Sequence, residues 1–266
     1  MTEEAQVPRD HPRAESIRIR ERLTRHVKTG VVALAGLIAH GRGEAFDYIL
    51  GEETTPSAMR AITAAAAALL LAERPVLSVN GNAAALCARE LVELAKASGA
   101  KLEVNLFHRS PGRASAVGRL LMDAGAEEVL GVGDDASARI DEVHSDRRRV
   151  DPRGILVADA VFVPLEDGDR TEALRRMGKT VIAVDLNPLS RTAQFASITI
   201  VDNIVRAMPL LVSEVERLRG RSLEELEELV SAFSNRDALS DAMALMEGRL
   251  NALSERGIYI EPHGRG

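Results

Sequence analysis

Between Thr180 and Gln194 an apolar run ends abruptly in groups suited to holding a ligand: Asp185, Asn187, Ser190, Arg191 and Thr192, on a turn broken by Pro188. Thr180 to Val184 reads as a buried parallel strand, and in open α/β sheets ligands collect beyond the carboxyl ends of strands. An acid at a strand tip, here Asp185, suits ribose hydroxyls, and a nearby arginine, here Arg191, suits phosphate. An Asx-Pro turn carrying a solvated arginine is the plain alternative.

Other stretches carry chemistry-bearing types. Gly36-Leu37-Ile38-Ala39-His40-Gly41-Arg42-Gly43-Glu44 reads as a glycine-rich loop whose backbone can approach a ligand closely, with Arg42 offering a planar fork of donors for phosphate or carboxylate. Glu44 can hold Arg42, His40 or a substrate ammonium; an ordinary flexible loop is the alternative. Glu166 to Glu172 sets several carboxylates after a strand, where Mg²⁺ or an amine can be held, or where Asp169 caps a helix. Asn80-Gly81-Asn82 opens a helix whose first amides welcome an anion, although such turns use Gly and Asn anyway. Asp202 and Asn203 cap the next helix or touch the ligand.

Two partial motifs fail. Gly178-Lys179-Thr180 resembles a P-loop ending, but Ala173 stands where the first glycine belongs and the triplet precedes a strand. Gly131-Val132-Gly133 is followed by Asp134 and Asp135, which would repel a pyrophosphate. The histidines at 11, 26, 40, 108, 144 and 263 show no short metal-ligand spacing, so no metal ligands are assigned.

The elements that must position these groups follow from periodicity. A helix is expected from Pro12 to Lys28, with Ile19, Leu23 and Val27 inward and Arg13, Arg18, Arg20, Arg22 and Arg25 on a basic face. Thr55-Pro56 caps a helix to Glu73. Strands at 76–79, 102–106 and 128–132 alternate with helices at 83–97 and 113–124. After a charged stretch around 145–153 come strand 160–165, helix 170–177, strands 180–184 and 197–201, and helix 204–218. This alternation predicts an α/β fold: a Rossmann-like, mostly parallel sheet with helices on both faces, an N-terminal helix and a C-terminal helical annex. The annex, with a Ser222–Glu225 capping box, caps the sheet or serves a dimer contact. Residues 1–11 are expected to be mobile. Residues 12–266 are expected to form a single unit, with a core at 12–220 and the annex at 221–258.

Composition narrows the function. Of the 266 residues 45% are hydrophobic but only 3% aromatic, with no Trp, so the core must be Ala, Val, Leu and Ile, and base-stacking platforms are not expected. A net charge of −6 argues against a nucleic-acid binder. No apolar stretch approaches the roughly 20 residues needed to cross a bilayer. A cytoplasmic protein without membrane partners is expected. Cys87, the sole cysteine, reads as a small core side chain, a catalytic thiol being the alternative.

Five blocks then carry a resemblance: Ala35 to Tyr48 (AGLIAHGRGEAFDY), Ser78 to Asn82 (SVNGN), Val163 to Leu174 (VPLEDGDRTEAL), Asp185 to Ala193 (DLNPLSRTA) and Val201 to Ala207 (VDNIVRA). Together they are similar to the archaeal phosphopantothenate synthetase (4-phosphopantoate–beta-alanine ligase) family, from about His11 into the C-terminal helices. The resemblance implies a Rossmann-like homodimer of coenzyme A synthesis that condenses 4-phosphopantoate with beta-alanine through an acyl-adenylate, ATP going to AMP and pyrophosphate, with Mg²⁺. Carried over by motif, the ATP site comprises Arg20, Arg42, Asp185, Leu186, Asn187, Arg191, Thr192, Asp202 and Asn203. His40, Gly41, Gly43, Asn80 and Asn82 become candidates to contact the other substrates.

That chemistry brings a carboxylate against the α-phosphate and builds charge on leaving pyrophosphate, so cations must offset the repulsion. Arg20, Arg42 and Arg191 are expected to converge for this purpose on one triphosphate pocket. The amine must then be held, by Glu44, Asp167 or Asp169. Two alternatives stand: an ATP-dependent kinase of a small hydroxy acid, and a non-catalytic nucleotide-sensing module.

Overall fold

The structure, a computed structural model, describes residues 13–257. The segment 1–11, expected to be mobile, lies outside the described residues, as do Pro12 and His263.

Helix α1 (Ala14–Lys28) is followed by α2 (Leu34–Leu50) and α3 (Pro56–Leu71), then strand β1 (Pro75–Val79), α4 (Gly81–Ser98), β2 (Lys101–Val104) and α5 (Pro111–Asp123). A short antiparallel pair, β3 (Ala138–Arg139) with β4 (Arg149–Val150), precedes β5 (Ala160–Pro164), α6 (Gly168–Arg176), β6 (Thr180–Val184), α7 (Arg191–Phe195) and β7 (Ile198–Ile200). Helices α8 (Ile204–Leu218), α9 (Leu223–Ser231) and α10 (Asn235–Arg256) complete the described residues. The main sheet is wholly parallel, ordered β2-β1-β5-β6-β7. The order runs outward from β1 in one direction and from β5 in the other, so a topological switch point lies between their carboxyl ends, where open sheets form a crevice.

Side-chain alternation divides the sheet between two cores. Leu77, Val79, Phe162, Ile182 and Val184 pack under α3, α4 and α8, while Val76, Val161, Val163, Val181 and Ala183 pack under α6 and the 138–158 segment. Apart from Phe162 the first layer relies on small side chains: Ala61, Ala64, Ala65, Ala66 and Ala67 of α3 are buried, which lets α3 and α8 approach closely. Thr55 caps α3 and Ser222 with Glu225 forms the expected capping box. The annex packs on α3 and α2, so it caps the helical layer. Cys87 is buried in α4 and desolvation lifts its pKa to about 12, which fits a core role.

Two expectations are corrected. The glycine-rich stretch 36–44 is not a loop but the first half of α2. Its leucines, alanines and glutamate are strong helix formers, and tertiary contacts offset the glycine penalty of about 1 kcal/mol each. Segment 128–132 forms only a bridge, Leu130 to Glu103, because Gly131 turns the chain away at φ 73°.

Candidate active site

The carboxyl edge of the sheet is built from strand ends. After β1, Asn80 caps α4 by accepting from Ala83 N at 3.0 Å and donates across the switch point to the carbonyls of Pro164 (2.7 Å) and Leu165 (3.2 Å). Leu165 has φ 53°, rare for a residue with a branched side chain and a mark of strain held in place by its surroundings. Asn82 donates to the Gly36 carbonyl at 2.8 Å, and a Cβ on Gly36 would collide with the Asn82 amide oxygen. That close approach is why glycine stands there. It seats the N-terminus of α2 on that of α4, beside the crevice.

After β6, Asp185 accepts from Asn187 N (2.9 Å) and Ser190 Oγ (2.5 Å), while Ser190 caps α7. The Asx-Pro turn is therefore real, and it presents Asp185 partly exposed. Burial raises the Asp185 pKa, opposed by the Ser190 and Asn187 bonds and by the charge of Arg42. Arg42 is exposed on α2, and neighbouring Gly43 faces Leu186. Arg42 and the turn thus meet across the crevice. Arg191 begins α7 and pairs with Asp169 (2.5 Å) and Glu172 (2.9 Å) of α6. Thr192 is buried and donates to the Glu166 carbonyl at 3.0 Å.

Arg20 lies elsewhere. It pairs with Glu44 at 2.9 Å, and Glu44 also accepts from Ser16 (2.5 Å) and Tyr48 (3.1 Å). Burial favours the protonated Glu44, yet the Ser16, Arg20 and Tyr48 hydrogen bonds outweigh it and hold the pKa below its ordinary value. Glu44 and Arg42 stand two residues apart, roughly 200° around the helix at 3.6 residues per turn. Arg20 and Arg42 therefore serve different faces of α2. Arg20, His40, Gly41 and Glu44 line an open cavity of about 430 Å³ between α1 and α2. Burial lowers the pKa of His40, with Arg20 adding to the effect and Glu44 and Asp47 opposing it.

Asp202 and Asn203 tie elements together. Asp202 accepts from Thr54 Oγ1 at 2.6 Å and from Arg206 at 2.7 Å; Asn203 caps α8 and donates to Asp47 at 2.8 Å. Both are buried. Helix α6 is capped by Asp167, which accepts from Arg170 N at 3.0 Å, in place of the expected Asp169; Asp167 holds the extended backbone one residue before the first turn, as capping geometry demands. Among the described residues no group of three or more His, Cys, Asp or Glu is placed to hold a metal.

Sequence reasoning overlooked a buried ionic cluster below the crevice. Glu166 meets both Arg147 and Arg170, Asp167 meets Arg147 at 3.1 Å, and Arg170 donates to Ser78 at 3.0 Å. Arg170 is wholly buried. Desolvation raises the Glu166 pKa against the pull of both arginines. The run Arg147-Arg148-Arg149 looks like a solvated loop in one dimension; only Arg147 folds inward.

With this geometry in view, relatives can be weighed. Residues 57–249 match the family model described as phosphopantothenate/pantothenate synthetase. The chain belongs to that family. It is 51% identical over 254 residues to a 4-phosphopantoate–beta-alanine ligase of Thermococcus kodakarensis, covering 95% of this chain and 97% of the relative. Proteins of the same name from Methanosarcina mazei and Methanospirillum hungatei are 49% and 46% identical, covering 95% and 92% of this chain and 99% and 98% of theirs. The fold and family implied by the five sequence blocks are borne out.

Proposed function

We infer that this chain is an ATP-dependent, AMP-forming ligase that condenses 4-phosphopantoate with beta-alanine to give 4-phosphopantothenate. The carrying observation is the meeting of Arg42 on α2 with the Asp185 turn beyond β6, in a chain about half identical, over nearly its whole length, to ligases of that name.

A carboxylate oxygen of 4-phosphopantoate attacks the ATP α-phosphorus and the bond to the bridging oxygen breaks, releasing pyrophosphate and leaving an acyl-adenylate. Charge accumulates on the departing phosphates, and preorganised cations lower that barrier most. Arg42 is exposed and makes no ion pair among the described residues, so its fork is ready for a phosphate. Arg191 must exchange Asp169 and Glu172 for phosphate. These pairs are at the surface and worth roughly 0–1 kcal/mol each, so a triphosphate displaces them readily. Asp185 accepts from the ribose hydroxyls, with Leu186, Asn187 and Thr192 shaping the turn and Asp202 and Asn203 fixing the base of the site. Mg²⁺, held mainly by phosphate oxygens, would offset further charge, which suits a chain with few clustered carboxylate ligands.

In the second step the beta-alanine nitrogen attacks the acyl carbon and AMP leaves. The amine must first lose its ammonium proton. Glu44 and His40 line the cavity between α1 and α2, where burial lowers the His40 pKa. Asp167, Asp169 and Glu44 are each paired with an arginine, Arg147, Arg191 and Arg20, so whichever of them anchors the ammonium must release that partner. Gly41 and Gly43 let substrate approach α2; Asn80 and Asn82 hold the crevice in shape.

A homodimer goes with this reading. Leu34, Ile38, Gly41, Ala45 and Tyr48 form one exposed stripe of α2 at alternating spacings of four and three, the pattern of helix pairing, with Leu34 71% and Ile38 77% exposed. Gly41 and Tyr48 also border the Arg20 cavity, so a second copy docked there would cover it. A cytoplasmic location accompanies the reading; among the described residues no helix is long and apolar enough to cross a membrane.

Incubating the protein with ATP, 4-phosphopantoate and beta-alanine tests the proposal. AMP and pyrophosphate are expected; ADP would select a kinase, and unconsumed ATP a sensing module.

A further inference from the structure

Moving a guanidinium out of water is costly unless an anion meets it. Arg147, Arg170 and Arg206 each meet a carboxylate. Arg109 and Arg113 make no ion pair among the described residues. Arg113 donates to the His108 carbonyl and, at 3.2 Å, to the Val31 carbonyl, while its buried Nε has no partner. Burial lowers its pKa and no carboxylate opposes the shift. Arg109 donates to the Gly131 carbonyl at 2.7 Å and its buried Nη1 also lacks a partner. Carbonyl dipoles steady both groups without neutralising them.

Their position adds a second argument. Both lie in the loop and first turn after β2, where Ser110 caps α5. The Arg113 Nη2 stands 3.3 Å from where a Cβ on Gly81 would project, which places it at the first residue of α4, on the β1 side of the switch point. Beside them the wholly buried Asn105 donates to the Arg147 and Arg149 carbonyls at 3.1 Å each, and its Oδ1 has no partner. Arg109 N binds Asp146 at 3.2 Å, so the 145–149 segment is laced onto this loop.

We propose that Arg113 and Arg109 bind the phosphomonoester of the acid substrate, making the enzyme select the phosphorylated over the bare hydroxy acid. The inference rests on the ligase reading above. β1 is two strands from β6, roughly 10 Å at about 4.8 Å per strand, a gap bridged by an acid with a four-carbon backbone whose carboxylate reaches the nucleotide while its terminal phosphate turns the other way. A phosphate dianion supplies the ion-pair partner that neither guanidinium has among the described residues; Arg113 feels no carboxylate, and Arg109 feels Glu103 and Asp146 only from beyond contact, against Arg149.

Steady-state rates of the full chain and of Arg113→Met and Arg109→Met, with 4-phosphopantoate or pantoate as the acid, decide it. Loss of a charge-assisted bond predicts a rise of roughly 10- to 100-fold in KM for 4-phosphopantoate. The KM for ATP should stay within about twofold, and kcat/KM for pantoate should be unchanged. Arg113→Lys should restore part of the selectivity. Equal losses for both acids, or an unaltered KM for 4-phosphopantoate, would overturn the assignment. Should a Met variant fold poorly, inorganic phosphate competing with ATP instead of the acid in the unmodified enzyme would overturn it just as well. An unmodified chain that forms no 4-phosphopantothenate would sink the ligase reading itself, a result separate from any change in selectivity.

Discussion

The arginines on the β1–β2 side of the sheet edge differ from those beneath and beyond β5 and β6. Arg147, Arg170, Arg191 and Arg206 are paired with carboxylates, while Arg109 and Arg113 donate to carbonyls and make no ion pair among the described residues, Glu103 and Asp146 acting on the Arg109 charge only from beyond contact. A matched guanidinium spends its charge holding elements together: Arg206 ties α8 to Asp47 of α2, and Arg170 ties α6 to Ser78 of β1. An unmatched one retains its field for a ligand and costs stability meanwhile. Function and folding thus draw on the same residue type, and the presence of a carboxylate separates the two uses.

The sharpest way to break this contrast is to remove one arginine of each kind. Arg170→Ala leaves Glu166 buried beside a single partner, and a loss of about 3–5 kcal/mol is expected in chemical denaturation. Arg113→Met should instead change stability by less than about 1 kcal/mol, or raise it, since an uncompensated charge is replaced by an apolar group. A large destabilisation by Arg113→Met would erase the distinction.

Glu103 sharpens the comparison through pH. It is wholly buried on β2, accepts from Asp151 N at 2.9 Å and Ile155 N at 2.6 Å, and burial lifts its pKa to about 7 despite those bonds. The folded state therefore holds a proton that the unfolded chain releases near 4.5. Its contribution is fully present below that lower value and is lost as pH rises to about 7, up to about 3 kcal/mol. Unfolding free energies of the unmodified chain and of Glu103→Gln between pH 4.5 and 7.5 check this: the variant should lose the downward slope.

Arg42→Ala tests the other end of the crevice. An increase of roughly 10-fold or more in KM for ATP is expected, with thermal stability unchanged because Arg42 is exposed; normal ATP kinetics would remove it from the site. The smallest effect concerns Arg60 and Asp241, an exposed pair joining α3 to α10. Asp241→Ala should cost under about 1 kcal/mol, measured by the same denaturation, since water screens such pairs.

The sequence was legible where pattern is local. Strands 76–79 and 180–184, the caps at Thr55, Ser222 and Asn203, and the acid-tipped turn at Asp185 follow from apolar runs and from side chains bonding their own neighbours. Three glycines among nine residues suggested a loop, yet 36–44 is helical because α2 packs on α4, α10 and the Leu186 turn, contacts that no local propensity encodes. Arg20, which the resemblance carries into the nucleotide site, pairs here with Glu44, two residues beyond Arg42 along α2, a pairing that no local pattern encodes.

Composition, periodicity and five motif blocks sufficed to determine an α/β ligase of this family, since each reflects short-range chemistry repeated along the chain. Which arginines meet carboxylates and which stand unmatched was settled only by tertiary structure. Glu166 finds Arg147 and Ser78 finds Arg170 across distances in sequence that pattern does not span, and a charge acquires its role from what folding brings beside it.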